Sequence, residues 1–504
     1  LKAIPLAQLS PEEQISYQVL VRILENTIAG LELHSYRFSV SQQGGFYAEF
    51  VDLAEYAPFN TLQDYHNFLT RLAGFRAYAG DFIHLLRGAL GQGDIQPRVA
   101  MAGVPGALKS QLVQDAENTP FYRPFEKIPP ALAEHAGALR EQARQTIRDS
   151  VLPGYRDLLR FIEDEYLPAA RESIAACDLP DGAAYYQAQI RHHTTLNLSP
   201  EQIHAIGEQE VQRIRSEMQA VLDRIAFKGS IRDYIYFLRT DPQFYVTSPQ
   251  ALLQAAALIA KRMDGELPRL FGKLPRLPYG IRATPDYIAP YSTTAYYFPG
   301  TGDGTRAGYY YVNTYGLKSR PLYELEALTL HEAVPGHHLQ IAMQQELSDL
   351  PALRRFYFFN AYIEGWALYS ERLGLESGFY TDPASNFGRL TYEMWRACRL
   401  VVDTGMHALG WTRQQAIDFM VENSALTVLN ITNEVDRYIA WPAQALAYKL
   451  GEIQIRQLRQ NAEQVLGARF NLRSFHDTLL GSGAVPLDVL TQMIHTWIEK
   501  ENAK

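Results

Sequence analysis

Apolar residues recur at three-to-four-residue spacing along most of the 504 residues, and one long stretch, 267–321, departs from that pattern. The spacing predicts helices over 11–30, 61–93, 130–152 and 155–176. They are separated by Pro- and Gly-containing breaks such as ENTPFYRPFEKIPP at 117–130 and DLPDG at 178–182. Ser199-Pro200-Glu201-Gln202 reads as a helix start: Ser199 caps, Pro200 suits the first turn and Gln202 reaches back, with the helix running to about 227. Within 267–321, repeated Pro and Gly separate the β-rich runs TTAYYF (293–298) and AGYYYVNTY (307–315), with 300–304 as their turn. Nine of the 31 tyrosines lie between Tyr279 and Tyr315, and Tyr suits a surface with one apolar and one polar side. The expectation is a mostly α fold: two helical halves flanking a cleft, 1–182 and 183–504, with a small β-sheet or hairpin at about 285–316 beside the helix that follows it.

Composition removes several classes. Apolar residues at 47% and charged residues at 20% are those of a globular chain, not a disordered one. Lys and Arg number 47 against 55 Asp and Glu, a net charge of −8, so no basic excess supports a nucleic-acid partner. No apolar run approaches the roughly 20 residues of a membrane-spanning helix. Cys177 and Cys398 have neither metal-ligand spacing nor a disulfide framework. The chain begins at Leu1, which points to an upstream segment removed or left out. Nothing in the pattern speaks to oligomeric state.

The chemistry concentrates in LEALTLHEAVPGHHLQI, 325–341. A His followed by Glu and then another His is how many zinc peptidases build their site, with the histidines four apart on one helix face. Here His331 and His337 are six apart, about 600° of helical turn, so a straight helix sets them on opposite faces. His338 returns to the face of His331 but about 10 Å along the axis, too far to share one zinc. Pro335-Gly336 supplies a break: Pro335 opposes a straight helix and Gly336 accepts unusual backbone angles. Looping out two residues makes His337 equivalent to the i+4 position; a helix that ends at Val334 is the competing picture, and His338 stays open as a ligand or as a supporting residue. Glu364, among Phe358, Phe359, Tyr362, Ile363, Trp366 and Leu368, is the candidate third ligand, because a carboxylate in such company needs a cation or an ion-pair partner. Glu371, beside Arg372, reads as a solvated charge.

Two imidazoles and one carboxylate leave a fourth zinc position open, the arrangement of a catalytic site. Glu332 is then the general base. Tyr438 is the first candidate donor to the oxyanion and His407 the second, with Asp403 four residues before it to orient the ring. Arg437 and Lys449 are candidates to hold a substrate carboxylate. The strand 309–314, with Tyr310, Tyr311 and Asn313, offers an edge for an extended peptide. GTGDGTRAG at 300–308 is not a phosphate loop, since it lacks the Gly-Lys-Ser/Thr ending.

The segments FPGTGDGTRAGYYYVNTY, RPLYELEALTLHEAVPGHHLQIA, IEGWALYSERLG, VDTGMHALGW and RYIAWPAQALAYKLG run in this order from about 297 to 451. They resemble the bacterial family labelled domain of unknown function 885, and HTTLNLSPEQIH at 193–204 extends the match. The resemblance implies a mostly helical, zinc-dependent peptidase-like protein, distantly similar to thimet-type oligopeptidases and helical metallocarboxypeptidases. His331, Glu332, His337 and Glu364 map onto the ligands and base of those relatives, with Val334-Pro335 as an insertion. Relatives with this pattern are often exported, so a periplasmic or secreted location is expected. The rival expectations are a metal-dependent hydrolase of non-peptide amides or esters, and a catalytically silent binding protein that keeps the fold.

Overall fold

Polar side chains start the helices where the spacing predicts them. A computed structural model describes residues 1–504 apart from Lys2, Ala3, Tyr287, Ile288 and Tyr291. Thr61 accepts from the Asp64 amide and Asp64 accepts from the Thr61 amide, which starts the helix Leu62–Leu90. Ser199 and Gln202 do the same for α1 (Pro200–Arg224). Each such cap is worth about 1 kcal/mol.

Contacts divide the chain into residues 30–185 and a larger unit made of 1–29 and 186–504. This differs from the expected division in giving the first 29 residues to the larger unit. Two tertiary hydrogen bonds show why: Arg354 reaches Glu12 at 3.1 Å, and Arg22 donates to the Thr195 carbonyl at 2.9 Å.

In the smaller unit the break expected around 153–154 does not occur. The helix Ala136–Thr146 passes through a π-helical turn, Ile147–Val151, straight into Leu152–Phe161. Pro153 lacks an amide hydrogen and crowds the carbonyl four residues back, and the wider π turn relieves that clash. Gly154 then meets Phe75 so closely that a Cβ would lie 2.8 Å from its ring. The helical run stops at Ala169, short of the expected 176.

In the larger unit a three-stranded sheet precedes the site helices. β1 (Tyr279–Ala283) pairs parallel with β3 (Gly308–Val312), and β2 (Ala295–Phe298) pairs antiparallel with it, in the order β1-β3-β2. The expected free edge on the strand after Gly308 is therefore wrong: β3 is central, and its backbone groups are engaged on both sides. The hairpin between β2 and β3 is present, whereas Tyr287, Ile288 and Tyr291, within the expected β element, lie outside the described residues.

Behind the sheet come α2 (Leu325–Glu332), α3 (His337–Gln345), α4 (Asn360–Leu373), α5 (Pro383–Ala408), α6 (Val428–Ala440) and α7 (Ala447–Leu466). α5 packs along α1 and α4 along α7. α5 is buried almost throughout, and carries Arg389, Glu393, Arg396, Arg399, Asp403 and His407 into the interior. The result is mostly α, with no helix among the described residues long and apolar enough to cross a membrane.

Candidate metal centre

α2 is buried at every position except Glu326, so His331 and Glu332 enter the core with it, at 3% and 7% exposure. The helix stops at Glu332 and restarts at His337, and the Val334–Pro335 peptide between them is cis. The intervening turn is held by backbone bonds from Gly336 to the Leu330 carbonyl and from His338 to the Ala333 carbonyl, both 3.0 Å. The Trp366 indole of α4 donates to the Pro335 carbonyl at 2.8 Å. A Cβ on Gly336 would lie 1.9 Å from the His331 carbonyl, so only glycine fits there. The break is thus a full helix end, two residues earlier than Val334, followed by a fresh start. It brings the rings of His331 and His337 to 4.8 Å between centroids, nearly perpendicular.

Glu364 arrives from α4, whose position is set by a crossing of glycines. A Cβ on Gly365 would meet the Gly451 backbone at 2.5 Å, and one on Gly451 would meet the Ala361 carbonyl at 1.9 Å. α4 and α7 therefore touch backbone to backbone, with Glu364 and Tyr448 beside the contact. Glu364 Oε2 lies 3.5 Å from His331 Nε2 and 3.5 Å from His337 Nε2, and all three atoms fall within 4.8 Å of one another. A tetrahedral ion about 2.1 Å from each ligand sets those ligands about 3.4 Å apart. The two edges that meet at Glu364 already have that length. Among the described residues this is the one His/Cys/Asp/Glu group of three that could hold a metal ion.

His331 Nδ1 is 2.8 Å from Glu371 Oε1, and the Arg396 guanidinium lies 3.4 Å from the same oxygen. With Nδ1–H donating to the carboxylate, Nε2 is the nitrogen turned toward Glu364 and left for a metal, the usual support for a metal-ligating histidine. Burial alone would lower the His331 pKa, but Glu364 and Glu371 outweigh it and lift it to about 9. Burial also opposes ionisation of Glu364, and the two imidazoles hold it well below the usual carboxylate range all the same. Unpartnered buried atoms gather here: Glu332 Oε2, His337 Nδ1, Glu364 Oε2 and Glu371 Oε2 have no hydrogen-bond partner among the described residues. Such atoms are costly in an interior, and a cation against Glu364 removes part of that cost. The donor set, two imidazole nitrogens and a carboxylate oxygen, fits zinc.

The remaining sequence candidates are engaged elsewhere in the fold. His338 hydrogen-bonds the Tyr297 hydroxyl at 2.8 Å and packs on Tyr279, and burial pushes its pKa down to about 4. It joins the sheet to α3 rather than the metal group. Tyr438 accepts from Trp395 and Arg399 at 2.9 and 2.8 Å and hydrogen-bonds Glu434, so its hydroxyl proton is already committed. His407, fully buried, is bound through Nε2 to the Tyr438 carbonyl at 3.0 Å, while Asp403 accepts from Tyr186 and the Ala443 amide.

The proposed substrate-binding residues are largely occupied by the fold. Lys449 has no exposure and lies 2.8–2.9 Å from Glu210, Glu393 and Glu452, so it has no room for a substrate carboxylate. Arg437 donates to Gln444 at 2.7 Å and lies 3.5 Å from Glu434 and from the Tyr448 hydroxyl. Asn313 is spent on the carbonyls of Ala289, Ser292 and Thr293, and Tyr310 is buried with its hydroxyl 3.4 Å from Thr329 of α2. Tyr311 stacks on Tyr296, on the sheet's other face.

Sequence reasoning missed four residues. Glu371 is 1% exposed and is no solvated charge. Its spacing of seven from Glu364 puts both on one helix face, which was the available signal. Tyr448 lies nearly parallel to the His331 ring at 6.5 Å, and Arg396 and Arg399 flank that tyrosine. No local pattern announces those three.

Comparison with known proteins agrees with this architecture. A structure from Colwellia psychrerythraea described as a "putative lipoprotein" is 34% identical, with a TM-score of 0.88 over 92% of this chain and 80% of that one. A second, a "putative lipoprotein of unknown function" from Shewanella oneidensis, is 20% identical and shares the fold, with a TM-score of 0.66 over 98% of this chain and 89% of that one. No curated protein matches the chain. The description of bacterial proteins of unknown function known as DUF885 matches residues 1–494, and the chain belongs to that family.

Proposed function

We propose that this protein is a zinc-dependent peptidase. The observation that carries the reading is the pair of 3.5 Å separations joining Glu364 Oε2 to the Nε2 atoms of His331 and His337. When bound, zinc supplies an acidified water and polarises the carbonyl to be attacked. The chain's own groups do the rest. Glu332, directly after His331 and with an unpartnered buried Oε2, takes the water proton and passes it to the leaving amine. Glu371 keeps His331 oriented and its Nε2 free. The Tyr448 hydroxyl, on the ring facing His331, is the neutral donor for the tetrahedral oxyanion, in place of the committed Tyr438. A buried Glu332 next to His331 weighs against a silent binding protein, for which that carboxylate would only be a cost. An extracytoplasmic location goes with this reading, supported by the lipoprotein descriptions of the two similar structures.

Metal analysis of the purified protein should give about one zinc per chain, lost when His331 and His337 are both replaced by Ala. A wild-type protein that takes up no zinc ends the proposal. A peptide library read by mass then separates the chemistries, because cleavage of esters or non-peptide amides with every peptide intact would transfer the site to a different hydrolase.

A further inference from the structure

Around Tyr448 two buried guanidiniums keep N–H donors open. Arg396 and Arg399 lie three apart on α5, hence on one face, and are 4% and 2% exposed. Arg396 donates to the Tyr392 carbonyl at 3.2 Å and approaches Glu371 at 3.4 Å, but its Nε has no partner. Arg399 donates to Tyr438 and to Glu434, and its Nη1 has no partner. Glu434 is shared with Arg437, and Glu371 with His331. Three guanidiniums thus draw at short range on two carboxylates that are each already divided, with the buried Glu324 near Arg396 and Asp403 near Arg399 as more distant carboxyl neighbours. The Lys449 cluster on the same helix pair is better matched, for there Lys449, Arg213, Arg389 and Arg456 share four carboxylates, Glu210, Glu217, Glu393 and Glu452. A buried guanidinium N–H left open is costly, and an anion that accepts from it removes the cost.

The open donors sit next to the metal group. The guanidinium carbons of Arg396 and Arg399 are 4.4 and 4.5 Å from the Trp395 ring centre and 6.0 and 4.3 Å from that of Tyr448. Tyr448 also lies nearly parallel to the His331 ring, at 6.5 Å. The Arg399 guanidinium therefore lies within about 11 Å of the His331 ring, a span that about three extended residues cover.

We propose that Arg396 and Arg399 form a carboxylate-accepting subsite, so that the preferred substrates are peptides bearing a carboxylate within about three residues of the scissile bond. The proposal rests on the peptidase reading and specifies its substrate class. Planar guanidinium forks match a carboxylate better than a point charge does. The carboxylate has two possible sources in a peptide, the C-terminus and an acidic side chain, and both offer the same chemistry.

The test compares one short peptide on the zinc-loaded protein in three forms: free acid, C-terminal amide, and amide with Glu as its last residue. The free acid should be cleaved with a kcat/KM at least tenfold above the plain amide. Recovery of the rate by the Glu-bearing amide identifies the side chain as an accepted source, and no recovery identifies the terminus. Arg399→Met should abolish the difference between acid and amide, and Arg399→Lys should leave part of it. Equal cleavage of acid and amide by the wild type, or a preference unchanged in a folded Arg399→Met, overturns the proposal. If no peptide is cleaved in any form, the peptidase reading has failed, and the subsite is judged by binding instead. N-acetylphenylalanine and its amide are titrated against the fluorescence of Trp395, with Trp395→Phe as the control. A response to the acid at tenfold lower concentration than to the amide supports the subsite, and equal responses overturn it.

Discussion

Replacing Glu371 by Gln keeps the side chain's shape and removes the charge 2.8 Å from His331 Nδ1. The amide oxygen still accepts from the imidazole, so the loss should fall at the low end of the 10- to 100-fold range for such supporting residues. That is about tenfold in zinc affinity, or about 1.4 kcal/mol. A second effect is separable. Arg396, 3.4 Å from the same carboxylate and 4% exposed, loses a buried counter-charge, which costs about 3 kcal/mol of folding stability. The assay is competition for zinc against a chromophoric chelator, with urea unfolding of the metal-free proteins alongside. Because the proton competes with zinc at His331, whose pKa stands at about 9 in the metal-free protein, affinities are compared above that pH. A folded variant whose zinc affinity stays within twofold of the wild type would refute the claim that Glu371 supports the ligand.

Glu332→Gln should retain its zinc and lose turnover by at least 100-fold, and a rate near that of the wild type would remove Glu332 from proton transfer. Gly451→Ala places a methyl 1.9 Å from the Ala361 carbonyl and must push α4 away from α7. Denaturant unfolding should show about 2 kcal/mol of lost stability, and zinc affinity should fall with it because Glu364 rides on α4. Burial raises Asp403 from its usual 3.8 to about 7, so the folded state holds a proton that the unfolded chain releases. Its contribution is fully present below pH 3.8 and lost as the pH passes 7, a change of about 4 kcal/mol; urea unfolding across this range should show a shallower fall for Asp403→Asn.

The helical architecture was legible because its signals are local. Three-to-four spacing and the caps at Thr61 and Ser199 depend on neighbours in sequence, and the structure carries both helices where those residues start them. Local reading failed where a remote contact or a backbone accommodation decided the outcome. Pro153 was expected to end a helix, yet a π turn carries the chain past it. The strand at 308–312 was expected to offer an edge, yet β1, 25 or more residues upstream, fills it. Glu371 looks like a solvated charge in sequence and Lys449 like a substrate contact, and both are buried in the fold, since nothing nearby in the chain reveals which partners arrive from other helices.

The sequence by itself determined the mostly helical class, the need for a break between His331 and His337, and the small set of side chains able to bind a cation. These follow from backbone geometry and side-chain chemistry within a few residues. Only the tertiary structure decided that His337, not His338, shares a 3.5 Å spacing with Glu364. It also decided that Tyr438 is committed while Tyr448 faces His331, and that two arginines on α5 keep open donors beside them. Each of those outcomes depends on where helices cross, and the glycine contact of α4 with α7 sets a crossing that no stretch of sequence encodes alone.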